Sequence, residues 1–160
     1  MSERPPSVAP DVRFATPPAP WRTALTAAPL RDPPRVLLAE DDDEMRQLVA
    51  EALRSDGYDV IAVSDGGRLL VTLALELIGN DDRALVDLLV LDVRMPIRSG
   101  MQVLEQLRAG NWRVPTILMT AFADPSMRER AIQLGAMLFD KPFDLDDLRT
   151  AASCLLRRTI

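Results

Sequence analysis

The feature that most constrains this chain is a fivefold alternation of two kinds of segment. Short apolar runs at Val36–Ala39, Asp59–Val63, Leu88–Leu91, Val114–Met119 and Met137–Phe139 are separated by longer stretches with helical period. Brief runs rich in Val, Leu and Ile suit strands covered on both faces, and parallel strands need helical crossovers that supply this cover. Met45, Leu48, Val49, Ala52 and Leu53 keep the i, i+3, i+4, i+7, i+8 spacing of a one-sided helix, which Ser55–Asp56–Gly57 stops. Asp124–Pro125 reads as an N-cap with a first-turn proline. Asp144 caps a last helix that gathers Leu145, Leu148, Ala152 and Leu155 on one face. Right-handed crossovers that must cover both faces then predict an α/β fold: a five-stranded, parallel, doubly wound sheet of flavodoxin-like type, order 2-1-3-4-5.

Composition sets the boundaries of that domain. Nine of the thirteen prolines fall in residues 1–34, where they forbid continuous helix or ladder, so this Pro/Ala-rich stretch is expected to be a disordered or loosely attached tail to a domain at 35–160. A net charge of −5 offers no basic patch, and DNA binding by the chain is not expected. The absence of histidine removes Ser–His–Asp catalysis and the commonest transition-metal ligand, and the lone Cys154 forms no internal disulfide. The N-terminus lacks the apolar segment of a signal peptide, and Leu69–Ile78 is too short to span a bilayer. A cytoplasmic address without membrane association is expected.

In open parallel sheets the functional crevice lies beyond the carboxyl ends of the strands. Four of the five predicted strands end there in polar residues. The first runs into Glu40–Asp41–Asp42–Asp43, the third into Asp92, the fourth into Thr120 and the fifth, past Asp140, into Lys141. Lys141 is the only lysine among 19 basic residues. A compact ammonium can tuck against a small phosphoryl group where a planar guanidinium fork cannot, although one stray lysine could also arise by chance. Three carboxylates in one crevice repel by roughly 3 kcal/mol per pair at about 5 Å with an effective dielectric near 20. Mg²⁺ offsets such repulsion, and with it Asp92 can serve as a nucleophile toward phosphorus, giving an acyl phosphate whose oxygens Thr120 and Lys141 bind. Asp42, Asp43 and Glu44 are better read as helix-start residues that cap free N–H groups and favour the dipole. Thr120 taken alone is an ordinary β-branched strand residue.

Over residues 35–158 the chain resembles the receiver domains of two-component response regulators. VLLAEDDDEMRQLV looks like the first strand, acidic pair and first helix; LLVLDVRMPIRSG like the phospho-acceptor segment; ILMTAFAD like the switch-hydroxyl segment; and DKPF like the lysine segment. The resemblance implies a phosphorelay receiver that takes a phosphoryl group from a sensor histidine kinase or phosphotransfer protein onto Asp92. It implies Mg²⁺ held by Asp41, Asp92 and the backbone carbonyl of Arg94, with Glu40 acting through water, and a cis Lys141–Pro142 bond. Two departures stand out. Between Asp65–Gly66 and Asp92 the chain is several residues longer than the family pattern, with the excess expected in 78–86. From Gly135–Ala136 to Lys141 it is one residue shorter, so the switch position paired with Thr120 falls on Leu138, with the aromatic Phe139 beside it; either could serve.

A chain of this kind is not expected to be a classical enzyme. A stand-alone receiver similar to chemotaxis regulators is expected, because the last predicted helix ends at the terminus and output must pass to a separate, unidentified protein. An aspartyl-phosphate hydrolase of the haloacid dehalogenase class resembles a D-x-D pattern, but Arg94 stands where its second Asp belongs. A flavin-binding protein wants a phosphate-cradling loop after the first strand, where Glu40–Asp43 would repel phosphate. The reading left in competition is a receiver-like docking module with weak or no phosphorylation. It is motivated by Arg68–Ile78, an expected helix that is apolar nearly all round and could serve a partner or a homodimer, or be covered by the insertion or the tail.

Overall fold

The computed structural model describes residues 32–78 and 86–157. Five strands and five helices alternate: β1 Arg35–Ala39, α1 Asp43–Ser55, β2 Asp59–Val63, α2 Gly66–Ile78, β3 Leu88–Asp92, α3 Gly100–Ala109, β4 Thr116–Thr120, α4 Pro125–Gln133, β5 Ala136–Asp140 and α5 Leu145–Leu156. The strands form one parallel sheet in the order β2-β1-β3-β4-β5. This is the predicted fold. The proposed tail (1–34, apart from its last three residues) and the centre of the proposed insertion (79–85) lie outside the described residues.

Alternation along the strands divides the core in two. Val36, Leu38, Val60, Leu88, Val90, Ile117 and Met119 face α1 and α5, where they meet Val49, Ala50, Leu53, Leu148, Ala151, Ala152 and Leu156. Leu37, Ala39, Leu89, Leu91 and Leu118 face α2, α3 and α4, against Leu69, Leu73, Val103, Leu104, Ala131 and Leu134. Strands β3 and β4 are buried along their whole length, as central strands covered on both sides must be.

Local chemistry sets the helix starts. Asp42 accepts from the Met45 amide at 2.8 Å, Asp124 from Met127 at 2.7 Å and Asp144 from Asp146 at 2.8 Å. Ser99 and Gln102 close a reciprocal capping box at α3. Asp42, Asp43 and Glu44 thus occupy the helix-start positions expected of them.

Three details correct the reading from sequence. Leu48 is 52% exposed, and the buried arc of α1 runs through Val49, Ala50 and Leu53 instead, because α1 packs against α5 as well as the sheet. Strand β4 begins at Thr116 rather than Val114; Val114 is buried ahead of the ladder, and Pro115 has no N–H to give. Strand β5 is two residues longer than predicted, because its pairing with β4 extends from Ala136 to Asp140.

Candidate functional site

The register of the sheet brings the four polar strand ends together. Glu40 follows β1 directly, and Val63 fixes its backbone by accepting from the Glu40 amide at 3.1 Å. Asp92 ends β3, opposite Met119 of β4. Thr120 ends β4 opposite Asp140, and its carbonyl accepts from the Lys141 amide at 2.7 Å. The Lys141–Pro142 bond is cis, as the resemblance implies. Thus a residue from each of β1, β3, β4 and β5 reaches one edge of the sheet.

Glu40, Asp41 and Asp92 each offer a carboxylate oxygen, and these atoms lie within 4.8 Å of one another. Glu40 and Thr120 are fully buried and Asp92 nearly so, while Asp41 is exposed at the rim. Two hard-oxygen donors from the buried side and one from the solvent side suit a small hard cation that retains part of its water shell, so the residues fit Mg²⁺. The Lys141 ammonium stands 2.7 Å from Glu40 and 3.5 Å from Asp92. It is pinned by the glutamate and reaches toward the aspartate. Backbone donors complete the geometry. The Arg94 amide donates to Asp92 at 3.2 Å, the Asp42 amide to Glu40 at 3.2 Å, and the Phe122 amide to the Thr120 hydroxyl at 3.2 Å.

The electrostatics follow from this crowding. Burial, then the neighbouring Asp41 and Glu40, push the Asp92 carboxyl up to about 8, against the partial relief that Lys141 gives. Asp41 goes the other way: burial opposes its ionisation, but contacts with Asp92 and Glu40, its own backbone amide and the Lys141 charge hold it below the usual range. Burial likewise works against the Lys141 ammonium and is outweighed by Glu40 and Asp92, which raise it. A bound divalent cation would remove the strain on Asp92.

The candidates for the switch separate cleanly by face. Leu138 lies beside Leu118 in the ladder and packs in the α2–α4 core, the face that Thr120 shares by alternation. Phe139 packs in the α1–α5 core, with its ring edge-on to Phe143 at 5.7 Å. The aromatic ring is therefore on the far side of the sheet from the Thr120 side chain.

Several supporting contacts are not visible in the sequence. Arg46 of α1 donates to the Glu40 carbonyl at 2.9 Å. Gly100 opens α3 so close to β3 that a Cβ there would stand 2.3 Å from the Asp92 carbonyl oxygen. The Arg94 guanidinium lies 4.9 Å from the centre of the Phe122 ring. Of these, Gly100 alone left a signal, the glycine that closes the acceptor segment; the other two contacts join residues whose spacing carries no rule.

Comparison with known proteins agrees with this geometry. Residues 36–153 match the model of the response regulator receiver domain family. The chain is 35% identical over 127 residues to the transcriptional regulatory protein PdtaR of Mycobacterium tuberculosis, covering 79% of this chain and 58% of that protein. It is 36% identical over 128 residues to the response regulator MprA of Mycolicibacterium vanbaalenii, covering 79% and 52%. The chain therefore spans little more than half the length of these curated relatives. Among solved structures, the receiver domain of the Francisella response regulator 1452 superposes with a TM-score of 0.67 at 29% identity, covering 79% of this chain and 99% of that one. The chemotaxis protein CheY4 of Vibrio cholerae gives 0.65 at 25%, covering 77% and 98%. With strand order, the acidic edge and the family match in agreement, this chain belongs to the response regulator receiver domain family and carries the receiver of a phosphorelay.

Proposed function

We propose that Asp92 is the phosphoryl acceptor of this receiver. The observation that carries the reading is the placement of its carboxylate inside a triad with Glu40 and Asp41 and 3.5 Å from the only lysine of the chain. A sensor histidine kinase or a phosphotransfer protein would supply the group from a phosphohistidine. The Asp92 oxygen forms a bond to phosphorus as the nitrogen–phosphorus bond breaks, and the imidazole leaves with its electron pair. Asp41, Asp92 and the Arg94 carbonyl would hold Mg²⁺, with Glu40 engaged through water; the ion supplies charge neutralisation for the phosphoryl group in transfer. Lys141 moves its charge from Glu40 toward the new phosphoryl oxygens, and the Thr120 hydroxyl binds another.

The conformational output runs through Thr120 and Leu138, since these two share a face of the sheet and Phe139 does not. A cytoplasmic address goes with this reading; among the described residues no helix is long and apolar enough to cross a membrane. Incubation with acetyl phosphate and Mg²⁺ should give one added phosphoryl group by intact mass, lost in Asp92→Asn. No adduct on the native chain, or an adduct that persists in the variant, removes the assignment.

A second reading has one observation in its favour. Helix α2 exposes Val71 and Leu75, 60% and 65% accessible, beside its buried Leu69 and Leu73. A docking module with weak phosphorylation would use this face, whether for another protein or for a second copy. It predicts that Leu75→Glu abolishes association while Asp92→Asn leaves it intact.

A further inference from the structure

Helix α2 keeps an apolar ridge in the open. Val71 and Leu75 stand about one turn apart and are exposed, while Leu69 and Leu73 of the same helix are buried against the sheet. Ile97 continues the ridge at its upper end: it is exposed, and its Cδ1 would lie 3.0 Å from a Cβ added to Gly67, one turn before Val71. Contiguous apolar surface of this kind marks a contact that something else completes.

The first residue of β1 shows where the rest of the chain joins this face. Arg35 is on the sheet face of Leu37 and Ala39, and its guanidinium stands 3.1 Å from Glu76 of α2. Residues 1–31, which lie outside the described residues, therefore join the domain beside the last turn of α2, one residue from Leu75. At 1.5 Å per residue, Val71 is about 8 Å up the helix axis from Glu76. The large apolar side chains Trp21, Leu25 and Leu30 precede Arg35 by fourteen, ten and five residues. Even five residues reach up to about 17 Å, so all three can meet the ridge. Charge favours the same pairing. Residues 1–31 hold Arg4, Arg13, Arg22 and Arg31 against Glu3 and Asp11, a net of +2 in a chain of −5, so the remainder carries −7. A second copy of the domain would bring that negative charge against its own kind. Residues 79–85, GNDDRAL, offer a single large apolar side chain.

We propose that residues 21–30 dock on the Val71–Leu75 face of α2 and cover, within the same chain, the surface that a partner would otherwise use. The inference stands independently of the acceptor at Asp92. Trp21 is the anchor, since tryptophan brings the most apolar area for the fewest rotatable bonds. Covalent attachment makes a weak contact sufficient. At an effective concentration of about 1 mM, a contact with a Kd of about 0.1 mM is closed about nine-tenths of the time. A charge placed at its centre weakens it about a hundredfold and leaves it closed about one-tenth of the time.

Trp112→Phe in the full chain leaves Trp21 as its one tryptophan, and acrylamide quenching then reads the cover directly. Trp21 should be shielded, and Leu75→Glu or Val71→Glu in that chain should raise the quenching constant about threefold or more with unchanged far-ultraviolet circular dichroism. Ile132→Glu, at an exposed apolar residue of α4, should leave it as it was. A second arm keeps Trp112. Trp21→Glu combined with Leu25→Glu should uncover α2 and raise the fluorescence of added anilinonaphthalene sulfonate, and Leu75→Glu on top should cancel that rise. A Trp21 quenched as freely as in urea, or shielded yet insensitive to Leu75→Glu, overturns the proposal. Shielding that fades on dilution, with a dimer by light scattering, overturns it too and gives the face to a second copy.

Discussion

Replacing the acceptor should make the metal-free domain more stable. In Asp92→Asn the side chain keeps its size and its acceptor for the Arg94 amide, but loses its charge. With carboxylate oxygens within 4.8 Å of one another, Asp92 feels at least about 3.5 kcal/mol of repulsion from each of Glu40 and Asp41 at an effective dielectric near 20. Lys141 at 3.5 Å returns about 5 kcal/mol on the same scale. The balance is a penalty of about 2 kcal/mol, which solvent screening of the exposed Asp41 lowers and desolvation of Asp92 restores. For a domain of this size that corresponds to a rise of roughly 8 °C in Tm.

The sign with pH follows from the same crowding. The folded-state pKa of Asp92, about 8, lies above its ordinary value of 3.8. The unfolded chain therefore releases this proton first, so the penalty is absent below about pH 4, grows as pH rises toward 8 and is constant beyond. Denaturant unfolding in EDTA at pH 4.5 and pH 8 measures it. The variant should exceed the native chain at pH 8 by at least about 2 kcal/mol, and by about 5 kcal/mol if the whole rise in pKa is expressed, and the difference should shrink to about 1 kcal/mol at pH 4.5, where the unfolded carboxyl is already largely ionised. Mg²⁺ should close the gap at pH 8 by stabilising the native chain more than the variant. An Asp92→Asn protein no more stable than the native chain at pH 8 without metal, or a gap equally large at both pH values, would refute the electrostatic reasoning.

Three further outcomes follow from the supporting framework. Ile97 is a β-branched residue at φ 74° and is 78% exposed, so Ile97→Gly should raise stability by about 1 kcal/mol in chemical denaturation, while Ile97→Val leaves it unchanged. Gly100→Ala drives a Cβ into the Asp92 carbonyl; it should cost about 2 kcal/mol or more and slow phosphoryl uptake, seen by calorimetry and intact mass on the same sample. Arg108 donates to the carbonyls of Leu134, Trp112 and Val114 at 2.8, 2.8 and 2.9 Å, tying α3 to α4 and to the approach of β4. Burial and the like charge of Arg113 lower its pKa to about 10, which leaves it charged at neutral pH. Arg108→Met should therefore lose about 3 kcal/mol or more in urea unfolding, and Arg108→Lys should recover only part of it.

How far the sequence carries can be judged from individual residues. Glu40, Asp92, Thr120 and Lys141 were legible as site candidates because each stands at or just past the end of an apolar run, and a doubly wound sheet sends all such ends to one edge. The caps Asp42, Asp124 and Asp144 were legible because capping is decided within four residues. Leu48 misled, since its spacing fits an apolar stripe while the second neighbour, α5, lies about a hundred residues away in the chain. The partners of charged groups were hidden for the same reason: nothing local links Lys141 to Glu40, Arg108 to Leu134, or Arg94 to Phe122.

The fold, the strand order and the acidic edge were thus determined by the sequence alone, because they rest on periodicity and on the rules of parallel crossovers. Tertiary structure decided the resting partner of Lys141, the stack of Arg94 on Phe122, and the faces of Leu138 and Phe139. Counting residues back from Lys141 could not choose between those two, since one step along a strand reverses the side chain. The pairing of β5 with β4 fixes which step is taken: Leu138 lies beside Leu118 on the Thr120 face, and Phe139 turns toward α5.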